Sequence, residues 1–392
     1  MADQACRPLC PEPFRIRADD QVLSDLRARL RNTRWPDPSP GTAWSQGTDL
    51  GYLRKLVAWW GSGFDWRARE RELNQFHHFL AEIGGLRIHF LQEKARHGRG
   101  IPLILTHGWP STFAEFCPLI PLLTDPAAHG IDGPAFDVII PSLPGHGFSG
   151  RPGRAGVTPR YTAGLWHQLM RGLGYERYAA GGGDIGEAVT MFMALDNPGP
   201  LIGIHLHTLL GAPYTGPGSA PLSPAEQAYL AQYENWSARE YGYGAIQSTK
   251  PQTVGYALND SPAGLAAWIL EKWRAWADTG GDLETRFDRD FLLTTVMLYW
   301  LTETITSSVR GYYDKRWLGD QPGPGDFVSV PTAVALFDHQ FTVTGSPPRE
   351  WAERLYNVRR WTPMPSGGGF APAEEPELVA GNIAGFFAGL DA

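Results

Sequence analysis

The sequence predicts an α/β fold: a mainly parallel sheet with helices on both faces, interrupted by an inserted helical cap. Three observations carry this. Apolar runs of strand length alternate with helical runs from Ile101 to Leu209, and strand-like sequence resumes at Val330. Between them, from about 211 to 326, the alternation gives way to helical sequence rich in Trp and Tyr, with Pro/Gly-rich joints at both ends. Finally, Gly181-Gly182-Gly183-Asp184-Ile185-Gly186 follows the apolar run Tyr178–Ala180 and precedes the helical run Ala188–Leu195. That is strand, sharp turn, helix.

In chain order, residues 1–92 form a lead-in segment. Asp19 or Asp20 caps a helix with Val22, Leu23, Leu26 and Leu30 on one face, and Pro36 is expected to end it. A second helix, about Tyr52 to Trp60, presents Leu53, Leu56, Val57 and Trp60. Gln75–Ile83 and Leu86–Gln92 read as a hairpin turning at Gly84-Gly85. The first part of the sheet domain spans 93–210. Its strands are Ile101–Thr106, Phe136–Pro141, the elbow strand and Leu201–Leu209, with a helix over Ala163–Leu173. The cap spans 211–326. The second part of the sheet domain, 327–392, holds Val330–Phe337, about Leu355–Thr362, and a final helix from Pro376 to Leu390. In such sheets the active site lies at the carboxyl ends of the strands, where both Asp184 and the His107 loop fall.

Composition narrows the function classes. The chain has 392 residues, 43% hydrophobic and 19% charged, as a globular protein with a sizeable core requires. Its net charge of −7 disfavours a nucleic-acid partner. Cys6, Cys10 and Cys117 are too few and too irregular for a disulfide framework, which points to a reducing cytoplasm. The charged first twenty residues hold no signal or anchor run, so neither secretion nor a membrane anchor is expected. Fifteen Trp and fourteen Tyr suggest a large aromatic pocket. No metal cluster or phosphate loop appears. The Gly181–Gly183 run lacks the GxGxxG spacing, so no cofactor is implied.

The chemistry centres on the elbow. Gly182 and Gly186 flank a central residue two positions away on each side, as a nucleophile elbow requires. That residue is Asp184. A carboxylate held there can attack carbon and form an ester. By itself, the stretch is equally a Gly-rich turn with a capping Asp.

Its companions are HGWP at His107–Pro110, PSLPGHGFS at Pro141–Ser149, the cap run Tyr241–Trp273 (YGYGAIQSTK through ILEKW), LYWLTETITSSVRGYYD at Leu298–Asp314, and EEPEL at Glu374–Leu378. With these, nearly the whole chain resembles the epoxide hydrolases of the α/β-hydrolase fold, in the microsomal-type branch with its N-terminal meander. The resemblance implies roles. Asp184 opens an epoxide. Tyr243 and Tyr312 hydrogen-bond its oxygen and protonate the leaving alkoxide, with the neighbouring Tyr313 as an alternative donor. The N–H groups of Trp109 and Ile185 form the oxyanion hole. His107 is structural.

The resemblance fails where ester hydrolysis is carried out. The family's water-activating His stands in a GGHF motif; here Ser366-Gly367-Gly368-Gly369-Phe370 puts Gly369 there. The orienting acid's place holds Gln340, in Phe337-Asp338-His339-Gln340. Nearby, Ile185, Glu187, Glu303 and His207 also depart from the family pattern. Three functions compete. Epoxides could still be hydrolysed through a substitute base, with His339 (beside Asp338) the nearest in sequence and His207, Glu187 and Glu303 as others. The pocket could instead run chemistry without a hydrolytic step, such as intramolecular ring opening, cyclisation or isomerisation of a natural product. Or it could bind a hydrophobic or aromatic small molecule without turnover. A homodimer is compatible with all three.

Overall fold

A computed structural model describes residues 9–319, 321–337 and 346–390. Cys6, Asp338, His339 and Gln340 lie outside the described residues. One nine-stranded sheet organises the chain: β1 (Glu12–Phe14), β2 (His78–Ile83), β3 (Leu86–Glu93), β4 (Ile101–Thr106), β5 (Phe136–Pro141), β6 (Tyr178–Gly182), β7 (Leu201–Leu206), β8 (Val328–Leu336) and β9 (Tyr356–Pro363). The spatial order is β1-β2-β3-β5-β4-β6-β7-β8-β9. β1, β2, β3 and β5 pair antiparallel, and the remaining pairs are parallel. The hairpin turns where expected, with both Gly84 (φ 58°) and Gly85 (φ 77°) left-handed.

The parallel strands read as continuous apolar runs because both sheet faces are covered. Along β4, Leu103 and Leu105 join one core while Ile104, between them, joins the other. Helices Leu119–Thr124 and Pro376–Phe387 belong to the first core; Pro159–Gly172 and Ile185–Asp196 belong to the second. The chain leaves β4 towards β5 on one side and returns to β6 on the other, so a crevice opens at the carboxyl end of β4.

Among the described residues, six helices lie between β7 and β8: Pro224–Glu240, Gly242–Gln247, Pro251–Asp260, Pro262–Trp276, Arg289–Thr302 and Ile305–Leu318. The N-terminal segment straps onto them. Trp60 Nε1 donates to Met297 Sδ, and Thr48 Oγ1 donates to the Ala267 carbonyl at 2.7 Å.

Two local expectations need correction. The first helix, Asp20–Arg31, is capped by Asp19 as one alternative foresaw, but it ends well before Pro36. Asn32 closes it, its N–H reaching the Ala28 carbonyl while the N–H of Thr33 reaches that of Leu30. A helix over Trp66–Leu73 was not anticipated, because its charged sequence WRAREREL shows little apolar stripe. It forms because Glu70 turns inward, where the N–H groups of Ala18 and Trp66 and the Arg67 guanidinium satisfy its carboxylate.

Candidate active site

Asp184 follows β6 and takes φ 53° and ψ −119°, a backbone conformation in the left-handed half of the map that non-glycine residues rarely adopt. The surroundings enforce it. A Cβ at Gly186 would lie 1.9 Å from the Thr106 carbonyl oxygen, and one at Gly182 would lie 2.6 Å from the Gly186 carbonyl carbon. Only glycine fits at either place. The Asp184 N–H is held by Thr208 Oγ1 at 2.6 Å.

The Asp184 carboxylate is clamped from below. Trp109 N–H donates to Oδ1 at 2.8 Å, and the Ile185 N–H also donates to the carboxylate. Burial nonetheless dominates, raising its pKa to about 6 against these two bonds and the field of Lys315. His107 ties two loops together: Nδ1 donates to the Gly108 carbonyl, which leaves Nε2 to accept the Leu143 N–H at 3.1 Å. Burial keeps this imidazole neutral, with its pKa lowered to about 3.

Above Asp184 the cap supplies phenols. Tyr243 stacks on Trp109, ring centroids 5.8 Å apart, and meets Tyr312 edge-on at 6.1 Å. The Tyr312 hydroxyl bonds the Tyr243 phenol oxygen. Burial, then the charge of Asp184, holds the Tyr243 phenol well above its ordinary value; burial, then Tyr243, does the same for Tyr312. Both phenols are therefore protonated at neutral pH. One cavity of about 480 Å³ contains Asp184, Tyr243 and Tyr312 in its lining, with Tyr233, Trp236 and Tyr241 on the same wall. The last three were not singled out in the sequence, since Trp and Tyr are common throughout the cap.

The other candidates divide. Tyr313 faces solvent at 40% exposure and packs on Trp317, because adjacent helical residues point about 100° apart. Glu303 lies away from the cavity, with a left-handed φ of 52° at the end of helix Arg289–Thr302 and an exposed ion pair to Arg151. His207 is buried beside the elbow: a Cβ at Gly183 would lie 2.3 Å from its Nε2. Burial lowers its pKa to about 3, leaving a weak base. Glu187 does line the cavity, but its carboxylate accepts from Leu210 N–H, Gly211 N–H and Tyr356 Oη–H. It bolts helix Ile185–Asp196 to the start of the cap connection.

Gly369 is buried, its N–H donating to the Trp276 carbonyl at 2.6 Å, while Phe370 stacks on Trp273 with centroids 3.8 Å apart. Two buried carboxyls lie near these residues, neither marked by the sequence as a functional group. Burial raises Glu115 to about 8 and Glu374 to about 7. Glu374 accepts from the Phe370 and Asp278 N–H groups. Among the described residues, no group of three or more His, Cys, Asp or Glu side chains could hold a metal ion, and no helix is long and apolar enough to cross a membrane.

A strained aspartate elbow after β6, the third of the parallel strands in sequence, beneath an inserted helical cap, defines an enzyme of the α/β-hydrolase fold. Family comparison agrees: residues 101–253 match the alpha/beta hydrolase fold, and 11–116 match the epoxide hydrolase N terminus. Epoxide hydrolase 1 of Sus scrofa is 37% identical over 411 residues, covering 97% of this chain and 89% of that protein. Juvenile hormone epoxide hydrolase 2 of Ctenocephalides felis is 36% identical, covering 95% and 84%. The crystal structure of juvenile hormone epoxide hydrolase from Bombyx mori superposes with a TM-score of 0.85 at 30% identity, covering 97% of this chain and 94% of that one. The chain belongs to the epoxide hydrolase family.

Proposed function

We propose that this protein opens an epoxide, or a related electrophile, through Asp184, and that its chemistry has diverged from hydrolysis. The carrying observation is a clamped, strained carboxylate facing two protonated phenols across one aromatic cavity. With Oδ1 held by Trp109, Oδ2 is the oxygen left to attack. It forms the ester C–O bond as the epoxide C–O bond breaks, and a phenol passes its proton to the departing alkoxide. The Trp109 N–H then faces the ester carbonyl oxygen, where an oxyanion hole acts.

Hydrolysis of that ester needs a base. Gly369 offers none, Glu187 has its oxygens committed, and His207 is held neutral with little basicity. These facts favour ring opening without added water, in secondary metabolism: cyclisation or isomerisation of a hydrophobic or aromatic substrate, either with a nucleophilic group of the substrate itself displacing the Asp184 carboxylate from the ester carbon, or with Asp184 acting as general base. We place it in the cytoplasm, as a monomer or homodimer, needing no cofactor. The second reading is a diol-forming epoxide hydrolase with His339 as base; the third is a binder without turnover.

Intact-protein mass after incubation with aryl and alkyl epoxides distinguishes these. A stable mass gain on Asp184 supports the proposal. Diol formation without adduct overturns it in favour of a substitute base, and His339→Ala then identifies that base. Ligand binding that Asp184→Asn leaves unchanged, without adduct or product, favours the binder.

A further inference from the structure

Lys272 is a buried lysine, only 7% exposed, on the cap helix Pro262–Trp276. Lysines are almost never buried to this degree without a partner that repays desolvation. Its ammonium stands 4.6 Å from the centroid of the Tyr243 ring and 5.9 Å from that of Trp276, and it is ion-paired to its neighbour Glu271. The sequence carries it inside the LEKW run of the cap.

We propose that Lys272 is a positioning residue that makes Tyr243, rather than Tyr312, the phenol that delivers the proton during ring opening. This rests on the ring-opening function proposed above. When Tyr243 gives its O–H proton to the epoxide oxygen, the electron pair stays on the phenolate and must be stabilised until solvent returns a proton. An ammonium over the ring face does this electrostatically, and more strongly for a phenolate than for a neutral phenol. The Tyr312 hydroxyl, donating to the Tyr243 oxygen, adds to the effect. The other titratable groups acting on Tyr243 oppose it: Asp184, Tyr241 and Tyr233 all disfavour its phenolate, as does burial. Trp109 and Trp276, packed against the ring, are neutral. Among the described residues no ammonium or guanidinium lies over the Tyr312 ring, so the two phenols are inequivalent.

The test reads Tyr243 directly, without turnover. Full-length protein is made with a ring-fluorinated tyrosine, whose phenol titrates at lower pH, and the 19F resonance of position 243 is assigned with Tyr243→Phe. Lys272→Met is expected to raise the midpoint of that resonance, making the phenol about tenfold less acidic, within the range of a desolvated cation–π contact. Lys272→Arg should restore it. Glu271→Gln, which frees the ammonium from its counter-charge and serves if Lys272→Met does not fold, should lower the midpoint. A midpoint unmoved in Lys272→Met, or in Glu271→Gln where the first is unfolded, overturns the proposal. In parallel, adduct formation on Asp184 is expected to slow about tenfold in Lys272→Met. No adduct in the unsubstituted protein, with the titration shift intact, would sink the ring-opening function while leaving the Lys272–Tyr243 coupling standing.

Discussion

At the scale of single residues, Asp184 carries opposite demands. Reactivity needs its carboxylate ionised, while burial favours the protonated form and raises its pKa to about 6. Ester formation should therefore be constant above about pH 7 and fall about tenfold per pH unit well below 6, as the ionised fraction does. Single-turnover adduct formation between pH 4.5 and 8 checks this. The same shift makes a stability prediction. A carboxyl whose folded value lies above its ordinary 3.8 destabilises the fold once ionised, fully above about pH 6 and not at all below about 4. Asp184→Asn should therefore stabilise by about 2 kcal/mol at pH 7, the partly accessible cavity floor trimming the full effect of burial. That gain should vanish towards pH 4. A gain independent of pH in urea unfolding would count against a buried anion as its cause.

At the scale of elements, the elbow depends on how closely β4, β6 and helix Ile185–Asp196 approach. Gly186 is where they touch: an added Cβ would sit 1.9 Å from a backbone oxygen that cannot rotate away. Gly186→Ala should cost about 3 kcal/mol or more, at the upper end of overpacking effects. Gly164, exposed on helix Pro159–Gly172 with nothing within 4 Å of its added Cβ, supplies the contrast. Gly164→Ala should stabilise by about 1 kcal/mol through helix propensity. Denaturant unfolding of the two variants compares the cases; equal effects would mean the elbow relaxes. Glu187 belongs to this scale too. The sequence made it a candidate base, but its oxygens hold the backbone where β7 leads into the cap connection, so it acts on architecture instead.

At the scale of the whole molecule, the proposed function has Asp184 form an ester that no histidine at position 369 is there to release. At position 369 the glycine has no left-handed φ, so the backbone conformation does not bar a side chain there. Gly369→His combined with Gln340→Glu is expected to convert a persistent Asp184 adduct into diol, with Gly369→His alone giving slower release. Adducts as long-lived in both variants as in the parent protein would show that more than the relay has changed.

Much of this was legible in the sequence, for definite reasons. Strand-and-helix alternation reports two-sided burial, and the glycines around Asp184 report a turn too tight for side chains. The tyrosines, by contrast, could be picked out only through matching motifs, since nothing in a cap with so many aromatic residues marks Tyr243 or Tyr312 by periodicity. Helix Trp66–Leu73 hid because its buried charge is satisfied in part by Ala18, some fifty positions away in sequence. The sequence by itself determined the sheet, the elbow and the glycine at position 369, because backbone geometry and the presence or absence of a functional group are local properties. Only the tertiary structure decided that Tyr312 and not Tyr313 faces the cavity, that Glu187 is saturated, that Glu303 lies outside, and that Lys272 stands over Tyr243. Those are questions of direction, burial and partnership between distant segments, and they are set when the cap packs onto the sheet.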